Sequence, residues 1–312
     1  MAADSTWRYY AYDPSHALAY VAISLFAVTW ICQCAWMYRR RTWYMMPFLI
    51  ACLGEAVGYG FRRVSADHPT GRGAGLTWYI LQELFIILCP ALMCASYYMC
   101  FGRIITYVGD KWTPVSSKWV TAIFVTQDVV SFVVQGAGGS LYSSDNTDLY
   151  STAKAVLVVG FCIQIIGLGI FSIFAGIYHT RARRAGVPSG PWTKCLFTLY
   201  AGAVFVLIRG IFRTVEFGTG RGGGQGYLLS REGYYYGLEG LPIFLACAIF
   251  CVSYPGNYIP HQRTARMFAT SEEAAVEAEA GGGLDGVPST GSSSAEKLGV
   301  EEERKGRWWS RR

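Results

Sequence analysis

Long apolar runs alternate with short polar breaks along this chain, and that alternation sets its architecture. Seven apolar segments are readable, at about 17–38, 44–62, 76–102, 118–138, 153–178, 195–217 and 235–254. Each approaches or exceeds the ~20 residues that a helix needs to cross a bilayer. The predicted fold is an all-α membrane protein, a seven-transmembrane-helix bundle. Two of the runs are not clean: Glu55 interrupts the second and Glu239 the seventh.

The polar breaks predict orientation. With the N-terminus outside, the cytoplasmic loops and the start of the tail carry twelve basic residues, against eight on the outer side. The positive-inside rule then favours an outer N-terminus and a cytoplasmic C-terminus. Arg39-Arg40-Arg41, directly after the first run, is the strongest single vote. The expected organisation is an extracellular N-terminus at 1–16, a transmembrane domain at 17–261 and a cytoplasmic tail at 262–312. From about Gln262, Glu, Ala, Gly and Ser dominate, a composition that reads as disordered. The tail ends in Arg304-Lys305-Gly306-Arg307-Trp308-Trp309-Ser310-Arg311-Arg312, a mixture suited either to an anionic inner leaflet or to plain solvation.

Composition agrees with the pattern. The chain is 52% hydrophobic and 15% charged, whereas a soluble domain carries about 25% charge. The net charge of +6 is scattered over loops and tail, so it reads as topology information and not as a nucleic-acid surface. The first sixteen residues are polar and aromatic, unlike a cleavable signal peptide. All ten cysteines fall in or at the ends of apolar runs, where they are expected to be small buried hydrophobes. Cys32 and Cys34 point roughly 200° apart on a helix and have no histidine beside them, so no metal is expected there.

Against this background the informative residues are the charges inside the spans. Arg209, Arg213 and Glu216 are spaced i, i+4, i+7 and share one helix face. Glu55, Tyr59 and Arg62 form a second stripe with the same spacing. Counting depth along alternating helices places Glu83, Asp128, Gln135 and Glu239 at mid-membrane or in the outer half. An arginine facing lipid would cost at least about 2.5 kcal/mol, so Arg209 is expected to face inward and meet Glu55 or Glu239. Arg209, Arg213, Glu239 and the Glu55/Tyr59 stripe are expected to converge in one polar cavity in the outer half of the bundle.

Such a network has two readings. It is either glue between helices, each bond adding about 1 kcal/mol, or a polar site for a zwitterionic or amino-alcohol headgroup. Catalysis is not expected. The four histidines, His16, His68, His179 and His261, lie at segment ends or in loops, which leaves neither a zinc ligand nor a triad base within the membrane. No cofactor is expected either, since Walker and dinucleotide fingerprints are absent.

The order and spacing of these residues resemble the fungal RTA-like proteins, the lipid-translocating exporters. The resemblance runs over most of Tyr10 to Pro255. It rests on Glu55-x-x-Gly58-Tyr59-x-x-Arg62, on Pro90-Ala91-x-x-x-Ala95-x-Tyr97 with Gly102-Arg103, and on Asp128-x-x-Ser131-x-x-x-Gln135-Gly136-x-Gly138. Gly160, Gln164-x-x-Gly167-Leu168, Ile208-Arg209-x-x-x-Arg213-x-x-Glu216 and Glu232-x-x-x-Tyr236-x-x-Glu239-x-x-Pro242 complete it. Cys89 before Pro90 departs from the pattern.

The resemblance implies seven helices in the plasma or vacuolar membrane and export or flip-flop of sphingoid long-chain bases or phospholipids, with lipid and drug tolerance. The function expected is therefore non-enzymatic movement of amphipathic lipids. A seven-helix receptor or sensor for a lipid or stress ligand is the alternative. The expected ligand-binding residues are Glu55, Tyr59, Arg62, Glu83, Asp128, Gln135, Arg209, Arg213, Glu216 and Glu239. The expected partners are a lipid and the bilayer, with no nucleic acid.

Overall fold

The computed structural model of the protein describes residues 14–67, 74–113, 117–142, 149–219 and 232–259. Six of its spans are single helices: α1 (His16–Arg40), α2 (Met46–Ala66), α3 (Ala74–Val108), α4 (Ser117–Tyr142), α5 (Tyr150–Arg184) and α6 (Pro191–Thr219). The seventh is composite: α7 (Glu232–Tyr235), a π-helical stretch (Tyr236–Gly240) and α8 (Leu241–Val252). All seven spans are long and apolar enough to cross a membrane, and no strand occurs among the described residues. Each predicted run is present, most of them extended by one to six residues at each end. The tail expected at 262–312 and most of the glycine-rich 218–226 stretch lie outside the described residues.

Local chemistry explains where the helices stop. Arg39 and Arg40 occupy the last turn of α1, where cations complement the helix dipole. Arg41 then takes a left-handed conformation (φ 52°), and the N–H of Thr42 donates to the Met37 carbonyl. The α5 helix likewise ends on Arg181, Arg183 and Arg184, followed by Gly186 at φ 80°.

The helices pack in chain order into a ring. Each touches its sequence neighbours, α8 touches α1 and α6, and α3 also reaches across to α6. The middle of α3 is accordingly enclosed: Met93, Cys94, Tyr97, Tyr98 and Phe101 are fully buried. In contrast, α4 exposes Ile123, Val129, Val130 and Val133, and α5 exposes Ile166, Ile170 and Ile173. Those faces suit lipid tails. The cysteines are all free thiols, six buried and four half-buried. Two pairs meet across helices, Cys52 with Cys247 at 3.5 Å and Cys100 with Cys195 at 3.6 Å.

Small residues set the α4–α5 contact. A Cβ on Gly160 would stand 3.2 Å from the Gln135 backbone nitrogen and 3.3 Å from the Ser131 carbonyl oxygen. Bilayer helices associate through this kind of close backbone approach, since lipid supplies no hydrophobic drive between them. Gly160→Val should therefore destabilise the protein by about 1–3 kcal/mol. Gly139→Ala, where a Cβ meets open space, should be neutral or slightly stabilising. Thermal melting of the purified protein in detergent reads both, and equal melting of the two variants would contradict this packing.

Candidate functional site

Two prolines break the backbone ladder where the site forms. Pro90 lies inside α3 and has no N–H, so the Ile86 carbonyl loses its helical donor. A freed carbonyl inside a membrane needs another partner. Arg209 supplies it, its Nη2 donating to the Ile86 oxygen at 2.7 Å. In the seventh span Pro242 withdraws the donor for the Leu238 carbonyl, and the preceding backbone widens into the π-helical stretch. Glu239 sits in that stretch and is 1% exposed.

The charges on α6 then meet Glu239. Arg209 Nη2 lies 3.3 Å from Glu239 Oε1, and Arg213 donates from Nε to the same oxygen. Arg213 is the hub of the group. Its Nη1 donates to Glu216 Oε2 at 3.0 Å, and its Nη2 pairs with Glu83 Oε2 at 3.0 Å. Glu83 accepts a further bond from Gln82 Nε2 at 3.1 Å. Three carboxylates from α3, α6 and the seventh span thus surround one guanidinium that is 2% exposed. A charge in that setting is tolerable only because it is paired on every side.

A second tier stands beside the first. Arg62 on α2 donates from Nε to the Tyr236 hydroxyl at 3.2 Å and lies 3.7 Å from Glu232 Oε1. Its guanidinium carbon sits 4.1 Å from the centre of the Tyr235 ring, a cation–π geometry. The Glu232 carboxylate also accepts the Ser15 backbone N–H at 2.9 and 3.0 Å, which ties in the start of α1. Tyr59 stacks between Phe26 and Tyr236, with ring centres 5.5 and 5.8 Å away. A Cβ on Gly240 would lie 2.6 Å from the Tyr59 hydroxyl oxygen, so this approach requires glycine there.

Glu55 completes the group and differs from the rest. It is 1% exposed, its Oε1 has no hydrogen-bond partner, and no ion pair involves it among the described residues. Arg209, Arg213 and Glu239 are the charges that act on it. The whole group holds five carboxylates (Glu55, Glu83, Glu216, Glu232, Glu239) against three guanidiniums (Arg62, Arg209, Arg213). Acid is in excess by two.

Eight of the ten expected residues therefore gather towards the end of the bundle where α1 begins. Asp128 and Gln135 do not join them. Asp128 accepts the Tyr98 hydroxyl at 3.0 Å, between α4 and α3. Gln135 donates to Ser131 Oγ at 2.9 Å and to Gln164 Oε1 at 3.2 Å, along the α4–α5 seam. Both belong to the packing of α4, which lies mainly against α3 and α5. Glu232, Tyr235 and Tyr236 join the group from outside the expected set. Their signal is the Glu-Gly-Tyr-Tyr-Tyr run that leads into the seventh apolar segment.

The structural context now matches a known family pattern. A model described as RTA1 like protein matches residues 48–262, which takes in the whole site apart from the contributions of α1. The chain belongs to the RTA1-like family. It is 33% identical to the protein RTA1 of Saccharomyces cerevisiae over 67% of this chain and 65% of that one. It is 32% identical to protoporphyrin uptake protein 1 of the same yeast, over 68% of this chain and 69% of that one. A sphingoid long-chain base transporter of yeast, RSB1, is 22% identical over 70% of this chain and 66% of that one. The chain spans about two thirds of the length of these relatives. No solved structure matches it. As a seven-span member of this family, the chain is an integral membrane protein.

Proposed function

We propose that this protein moves amphipathic lipids bearing an amine, sphingoid long-chain bases or close relatives, across the bilayer and so confers tolerance to them. The acid excess of the buried group carries this reading. Five carboxylates facing three guanidiniums favour a ligand that brings positive charge. The aromatic rings of Tyr59, Tyr235 and Tyr236 offer further π-faces to an ammonium. Relatives named as a probable lipid transporter, at 24% identity, and as a sphingoid long-chain base transporter support the same direction and a non-enzymatic role.

The relative named for protoporphyrin uptake favours a second reading, since it is the more similar chain. A protoporphyrin carries two propionates, and a group already rich in acid would repel them. The amine therefore ranks first. With the N-terminus outside, the group opens towards the outer leaflet through Glu83 and Glu232, whose side chains are 18% and 15% exposed. Residence in the plasma membrane fits that orientation.

Reconstitution separates these readings. Purified protein in liposomes should accelerate transbilayer movement of a labelled long-chain base, with little effect on protoporphyrin. Binding of the base without movement would favour a receptor, and faster movement of protoporphyrin alone would favour the tetrapyrrole.

A further inference from the structure

Glu55 stands out among the five carboxylates because the other four each lie in an ion pair with an arginine. Glu83, Glu216 and Glu239 pair with Arg213, Glu239 also with Arg209, and Glu232 lies against Arg62 and the Ser15 N–H. Among the described residues Glu55 has no such partner, yet it is as buried as Glu239. The groups facing it are Arg209 and Arg213 from α6, Glu239 and Cys247 from the seventh span, Cys89 from α3, and Tyr59 from its own helix. From α1, the apolar Phe26 closes the space beside Tyr59. Both arginines are already committed to Glu239, and Cys89, Cys247 and Tyr59 are neutral. An ionised Glu55 would thus add a charge to a group that already has acid to spare.

We propose that Glu55 holds an exchangeable proton and releases it when the ammonium of a lipid amine takes its place. The exchange balances in atoms and charge. The neutral carboxyl and the incoming ammonium become a carboxylate–ammonium pair, and one proton goes to water. No other bond forms or breaks. The site keeps the same net charge before and after, because the carboxylate and the ammonium that appear in it form a pair. The proposal rests on the lipid-amine reading above and adds to it the residue and the ion that is exchanged.

The test uses full-length protein in detergent with N,N,N-trimethylsphingosine, a permanently cationic amine that cannot itself deliver or take up a proton. Binding is followed in weakly buffered solution with a pH indicator dye. The expected result is about one proton released for each amine bound, with affinity weakening about tenfold for each unit by which the pH is lowered. Glu55→Gln, which keeps the shape of the neutral acid, should release no proton and bind with no pH dependence. Wild-type binding without proton release, or with pH-independent affinity, overturns the proposal while leaving the lipid reading intact. A wild-type protein that binds no amine at any pH overturns both. The wild-type pH dependence decides the matter even if the glutamine variant does not fold.

Discussion

Replacing Arg213 by leucine is expected to remove most of the folded protein from the membrane. Arg213 is the one cation shared by Glu83, Glu216 and Glu239, so its loss leaves carboxylates buried with their countercharge gone. Breaking a buried pair from one side costs about 3–5 kcal/mol, a large part of the stability of an ordinary domain. The double variant Arg213→Leu with Glu239→Leu should recover only part of that loss, because Glu83 and Glu216 stay without their cation and Arg209 loses its carboxylate. It should not recover transport. Fluorescence-detected size-exclusion chromatography of the tagged variants measures the first effect and liposome flux the second. If the single variant is as abundant and monodisperse as wild type, the hub is not holding these helices together.

The second large effect separates function from stability. Glu55→Gln should leave the amount of folded protein near wild type, because Glu55 takes part in no ion pair among the described residues that the change would break. The same change should nearly abolish movement of a long-chain base. A hydrogen bond to a charged group is worth about 1.5–3 kcal/mol, so removing the carboxylate should weaken amine binding on the order of ten- to a hundredfold. Growth on a toxic long-chain base, normalised to the amount of protein in the membrane, reads this directly. Normal tolerance at normal abundance would reduce Glu55 to a packing residue.

Much of this arrangement was legible in the residue order. The runs of apolar residues were long enough to define every span, because a bilayer demands length and little else. The i, i+4, i+7 stripes on α2 and α6 gave the two faces that meet, since helical geometry fixes which side chains share a side. The pairing itself was less accessible. Arg209 was expected to meet Glu55 or Glu239, and it meets Glu239 at 3.3 Å. The reason lies in the backbone: Pro90 frees the Ile86 carbonyl, which takes one end of the guanidinium, and the π-helical stretch places Glu239 within reach.

Asp128 and Gln135 show the opposite limit. Depth counting put them level with the arginines, and depth alone cannot tell which side of a ring a helix occupies. Chain order around the ring places α4 next to α3 and α5, so its polar residues meet Tyr98, Gln164 and the Gly160 carbonyl instead. Glu232 escaped because it precedes the apolar run that marks the seventh span, and Tyr235 and Tyr236 because they stand at its very start. There a carboxylate and aromatic rings look like loop until Arg62 is seen beside them.

The central claim is that the charged group at the N-terminal end of the bundle receives the lipid amine. Photo-crosslinking tests it most directly. A sphingosine with a diazirine close to its amine, irradiated with the protein in liposomes and mapped by mass spectrometry, should label segments of α2, α3 and the seventh span around Tyr59, Glu83 and Tyr236, and excess unlabelled sphingosine should suppress that labelling. Labelling confined to the lipid-facing sides of α4 and α5, around Val130 and Ile170, and unchanged by competitor would contradict the claim.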